Sequence, residues 1–126
     1  MTLIEIFSIL TIHYIGDFIL QTDQQAKEKS KYFHSLIAHT LTYSVFVFFG
    51  IAILHGATVG TGEANFWFAF FFTIISFVTH TMTDYYTSRL NAYLWSKGDS
   101  HNFFVSVGGD QLLHYIQLFL TYQLLK

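Results

Sequence analysis

The 126-residue chain has no cysteine and no proline. The first absence excludes disulfides and thiolate metal sites, and it leaves the redox compartment open. The second suits long, uninterrupted helices. Charge is scarce as well. Asp, Glu, Lys and Arg make up 11% of the residues, where a soluble domain has about 25%. The net charge of -2 offers no field of one sign that would attract nucleic acid. What fills the chain instead is apolar: 52% hydrophobic and 20% aromatic. So few charges cannot cover the surface of a soluble protein of this size.

The apolar residues group into four stretches. They run from about Leu3 to Leu20, Ser35 to Leu54, Asn65 to Tyr86 and Phe103 to Leu125. Each is near the roughly 20 residues that a helix needs to cross a bilayer. The first lacks the basic start and small-residue cleavage site of a signal peptide, and it carries Glu5, His13 and Asp17. The expected fold is therefore an all-α integral membrane protein, a four-transmembrane-helix bundle forming a single domain over residues 1–126. Lys27, Lys29, Lys31, Arg89 and Lys97, five of the six basic residues, fall in the first and third connections. The positive-inside rule puts those connections in the cytoplasm and both termini outside, as expected of a chain in an inner (plasma) membrane. Lys126 dissents. Tyr32, Tyr85, Tyr86, Tyr93 and Trp95 near one face, with Trp67 near the other, match an aromatic belt.

Seven polar residues interrupt these stretches: His13, Asp17, His39, His80, Asp84, Asp110 and His114. Three of the stretches hold a His and an Asp four residues apart, which on a helix share one face. At 1.5 Å per residue, all seven lie within about 5–15 Å of the cytoplasmic interface. The topology came from Lys and Arg alone, so this common depth is a separate observation. Each helix also shows one polar seam, and four seams meet in the core of a bundle, where helical proteins build metal sites.

Three Asp side chains in apolar spans cost about 8–10 kcal/mol by simple addition on insertion scales, less when off-centre. Divalent cations are an economical compensation for three carboxylates and four imidazoles. Seven ligands exceed one tetrahedral ion and suit two, and His/Asp ligation without Cys points to Zn, Mn, Fe or Co rather than Ca. Paired ions clamp the attacking and leaving oxygens of a displacement and turn bound water into hydroxide near neutral pH. Asp17 or Asp84 is the candidate bridge between ions, and Gln21 and Gln111 are candidates for orienting ligands or holding substrate oxygens. Arg89 and the three loop lysines are placed to receive an anionic headgroup. For His34, His55 and His101, at helix ends or in loops, a structural role is the simpler reading.

The strings HYIGDFILQ (13–21), HSLIAHTLTYS (34–44), HTMTDYY (80–86) and GDQLLH (109–114) resemble a family of small multi-span membrane proteins of bacteria and their phages whose function is unassigned. The match runs in order over nearly the whole chain and implies the fold and the site positions. One departure is the lack of a Trp near Gln25. More distantly, the chain is similar to predicted membrane-bound metal-dependent hydrolases, which carry H-S-x-L and H-x3-D elements.

Three functions compete on these residues. The first is a hydrolase of a phosphoester, with a lipid or isoprenoid phosphate as substrate and the bilayer as partner, alone or as an oligomer. The second is an ion or proton relay, because intramembrane Asp and His mark ion pathways. Against it, the outer halves of the spans read as free of ionisable residues. The third is a non-enzymatic membrane protein with a structural metal. The plain alternative to a metal is an interhelical His–Asp hydrogen-bond network.

Overall fold

A computed structural model describes all residues, Met1 to Lys126. The chain is helical throughout, with no strand. Helix α1 (Leu3–Tyr14) continues into a π-helical turn (Ile15–Ile19). A short α2 (Asp23–Glu28) follows, then three long helices: α3 (Phe33–Thr58), α4 (Glu63–Ser96) and α5 (Ser100–Leu125). Local chemistry sets these starts. Thr2 and Glu5 form a reciprocal capping box on α1, Thr22 and Gln25 form another on α2, and Asp99 caps α5 by accepting from the Asn102 amide. Gly98, at φ +70°, makes the tight turn between α4 and α5.

Two boundaries depart from the sequence reading. The first connection contains α2. The third is only Lys97 to Asp99, because α4 runs ten residues past Tyr86. Hydropathy falls after Tyr86, but residues 87–96 hold no strong helix breaker and the helix carries on. Of the long helices, α3 and α4 are long and apolar enough to cross a membrane, with mean hydropathies of 1.9 and 1.4. The π turn leaves α1 only 12 residues long, and polar Asp110, Gln111, His114 and Gln117 dilute α5.

Successive long helices pack as antiparallel neighbours, α3 on α4 and α4 on α5, with α1 against α3 and, more lightly, α5. One half of the bundle interior is apolar, built on Ile9, Val47, Ile51, Phe68, Phe72 and Leu118. Phe72 is fully buried, whereas Phe70 and Phe71 face outward. The other half is polar. Across the whole chain, polar side chains outnumber apolar ones among the buried residues, while Ile53 and Leu124 stand 73% and 83% exposed. That distribution inverts the usual one for a domain in water.

Candidate metal centre

All seven His and Asp residues meet in the polar half. The π turn carries Asp17, and His13 lies one turn earlier on α1; α3 brings His39, α4 brings His80 and Asp84, and α5 brings Asp110 and His114. Six of the seven are buried, and the Asp110 side chain is 12% exposed. Close helix approach makes this meeting possible. A Cβ on Gly16 would lie 2.9 Å from the Tyr43 ring, so only glycine lets the π turn sit against α3 at that distance. The π turn replaces the regular α-helical step expected between His13 and Asp17. Such turns often mark functional positions.

Four ligand atoms form the first group: one each from Asp17, His39, His80 and Asp84, all within 4.8 Å of one another. His39 Nε2 is 3.0 Å from Asp17 Oδ1 and 3.2 Å from Asp84 Oδ2. His80 Nε2 is 3.3 Å from Asp17 Oδ1, 3.7 Å from Asp84 Oδ2 and 3.4 Å from His39 Nε2. Four donors about 2.0–2.1 Å from a tetrahedral ion would stand about 3.3–3.4 Å apart, from zinc–ligand bond lengths. The five separations bracket that edge. In a hydrogen-bond network, two imidazole nitrogens at 3.4 Å compete for the same carboxylates. Around a cation, both point lone pairs inward. The Nδ1 atoms of His39 and His80 are buried without partners, so no hydrogen bond on the far side of either ring fixes the tautomer.

Asp84, Asp110 and His114 form the second group. His114 Nε2 is 3.1 Å from Asp84 Oδ1 and 3.3 Å from Asp110 Oδ1. Asp84 therefore turns Oδ2 to the first group and Oδ1 to the second, the disposition of a bridging carboxylate. Three protein donors leave a position free for water or substrate, as catalytic zinc sites do, whereas four close a site. The residues present thus suit a divalent cation in each group.

The remaining expected residues fall around these groups. His13 stands outside both. Its Nδ1 accepts from Tyr43 Oη at 3.1 Å and its Nε2 donates to Gln111 Oε1 at 3.0 Å; it reaches only 3.6 Å from Asp17 Oδ2. Gln111 Nε2 in turn donates to Asp17 Oδ2 at 3.3 Å and Asp110 Oδ2 at 3.1 Å, tying the groups together from outside. Thr87 Oγ1 donates to Asp110 Oδ1 at 2.5 Å. Gln21 lines the adjoining cleft and keeps a buried, unpartnered Oε1.

Among the basic residues, Lys29 enters the site: its ammonium lies 3.0 Å from Asp84 Oδ2. Burial disfavours that charge, but the Asp84 and Asp17 carboxylates outweigh burial and hold its pKa above the ordinary lysine value. Arg89 departs from expectation. It lies over the Tyr85 ring at 3.7 Å and does not line the cleft. His34 and His101 are exposed, while His55 is buried against Phe68 and pairs with Asn65.

The end of the bundle away from these groups also holds an ionisable residue, where the sequence reading expected none. Glu5 is fully buried, accepts from Tyr122 Oη at 3.0 Å and pairs with Lys126. Its place in the first turn of α1 was visible in the sequence, but its partners lie at the far end of the chain. The apolar layer of Val47, Phe72 and Leu118 separates Glu5 from the metal-ligand groups.

No curated protein and no solved structure matches the chain. A family model described as Protein of unknown function (DUF3307) matches residues 6–126, and the chain belongs to that family.

Proposed function

We propose that the chain is a membrane-embedded, metal-dependent hydrolase that cleaves a phosphoester, on a lipid or isoprenoid phosphate, at the cytoplasmic leaflet. One observation carries the reading: two adjoining His/Asp groups share Asp84, one with four donors and one with three. Zn, Mn, Fe or Co in such groups supplies a water that ionises near neutral pH and positive charge for a phosphoryl oxygen. Asp84 holds the two groups in register and Asp17 completes the closed one. Gln111 fixes Asp17 and Asp110, and Gln21, with its Oε1 unpartnered, lines the adjoining cleft.

The membrane setting is supported by the apolar exterior around a polar interior, and by α3 and α4. In this reading α1 with its π turn and α5 also span, making four. The basic first and third connections face the cytoplasm and the termini face outward. A relay reading gains the Glu5–Lys126 pair as a second polar end, but Val47, Phe72 and Leu118 stand between the two ends and no continuous hydrogen-bonded chain joins them. A purely structural metal would need no three-donor group.

The test is phosphate release by the detergent-purified protein, loaded with Zn or Mn, from phospholipids, isoprenoid phosphates and nucleotides. A lipid or isoprenoid phosphate is expected to turn over, with turnover abolished in Asp110→Ala and reduced about 10–100-fold in Gln111→Ala. No turnover of any of these by the metal-loaded protein would reject hydrolysis.

A further inference from the structure

Beside the second metal-ligand group, a cleft of about 720 Å³ opens to the outside. Its size falls in the range of ligand pockets, about 300–1,000 Å³. The lining is divided. Asp17, Asp110 and Gln111 form the floor, with Lys27, Lys29 and Lys31 on one side. Phe18, Trp95, Phe103, Phe104 and Val107 supply apolar surface. The side chain of Lys29 is 19% exposed; it lines the cleft and reaches Asp84. The π turn and α5 never bring their Cα atoms within 8 Å of each other. Side chains alone bridge that gap, Gln111 to Asp17 at the bottom, with Phe18 on one rim and Phe104 on the other. Both phenylalanines are exposed, at 44% and 67%.

We infer that this cleft binds one anionic amphiphile, a long-chain phosphate monoester. Its phosphate sits on Lys29, beside the Asp84 carboxylate that the two groups share, and its chain leaves between Phe18 and Phe104. Three lysines face the cleft from one side, which matches a head carrying up to two negative charges. A soluble phosphate ester would find the cations but make no use of the aromatic rim. A neutral lipid would use the rim and leave Lys27 and Lys31 without an anion, since Lys29 alone of the three is paired, with Asp84. Lys29 therefore sets the head, and the gap between the π turn and α5 sets the chain. The inference rests on the proposed metal centre for the charge of the floor, where Asp17 and Asp110 alone would repel a phosphate, and on the proposed hydrolase for the fate of the ligand after binding.

The cleft contains its own reporter. The chain has two tryptophans, and Trp95 lines the cleft while Trp67 lies outside it. In a Trp67→Phe background, loaded with Zn and in neutral maltoside detergent, dodecyl phosphate is titrated against Trp95 emission, with inorganic phosphate and dodecyl trimethylammonium in parallel. A saturable change with dodecyl phosphate alone is expected. Lys29→Gln should weaken it at least tenfold, and Lys97→Gln, outside the cleft, less than twofold. Phe104→Ala should weaken dodecyl phosphate but not butyl phosphate, a control that does not depend on the stability of the Lys29 variant. An equal response to the ammonium amphiphile, an equal response to inorganic phosphate, or no loss in a folded Lys29→Gln protein would overturn the inference. Phosphate release is followed on the same samples. Saturable binding without release rejects hydrolysis and keeps the cleft, whereas release without saturable binding rejects the cleft and keeps hydrolysis.

Discussion

At the scale of the residue, Asp84 is the side chain on which both metal-ligand groups depend. Replacing it with Asn removes an anionic donor from each, so Asp84→Asn is expected to weaken binding of both ions. Asp110→Asn touches the second group alone and should reduce Zn stoichiometry from two to one in a calorimetric titration. Tyr43→Phe removes the donor to His13 Nδ1. It should cost about 1 kcal/mol, the usual net worth of a hydrogen bond, read as a lower thermal midpoint in detergent with metal stoichiometry unchanged. The six residues of the two groups were legible because an ionisable side chain inside an apolar run is costly unless a partner compensates it. His13 carried the same signal, yet its ring nitrogens go to Tyr43 and Gln111. Residue type and spacing cannot tell a donor to a metal from a donor to an amide. Lys29 was legible only as one of three loop lysines; which of them turns inward depends on how α2 and the turn after it fold back over the bundle.

At the scale of the element, the π turn at Ile15–Ile19 has the largest consequence. The pattern H-x3-D reads as one face of a regular helix, and nothing in the residue sequence announces the extra backbone step. Only Gly16 gave a hint, as a glycine inside an apolar helix. Gly16→Ala forces a methyl group against the Tyr43 ring, which is held by His13 and stacked on His80 at 4.1 Å. Overpacking of this kind costs about 1–3 kcal/mol, and here it should also lower metal affinity, because Asp17 moves with the turn. Gly50→Ala is the control: its Cβ overpacks Ile12 as closely, at 2.9 Å, but away from the ligands, so it should cost stability and leave metal affinity unchanged. Ion-specific calorimetry on the two variants separates the effects. The helices themselves were readable from apolar runs. The end of α4 was not, because beyond Tyr86 the segment stays helical without staying apolar.

At the scale of the whole molecule, the polar half of the interior sits at one end and the apolar half at the other. Glu5 and Lys126 close the apolar end. This pair was invisible in the sequence because its members are 121 positions apart. Glu5→Gln should lower the thermal midpoint by a few degrees without changing metal content, since the apolar layer insulates the two ends. The proposed four spans would put both termini on one side, and the positive-inside rule predicts that side to be outside. Reporter fusions at the two ends should both read as external, and a cytoplasmic N-terminus would reject the leaflet assignment. The most direct test of the central claim is the metal content of the wild-type protein. It is purified in detergent from cells grown with Zn and Mn and measured by inductively coupled plasma mass spectrometry. The two groups that share Asp84 predict two divalent ions per folded chain, and a folded, metal-supplied protein that carries none would contradict them.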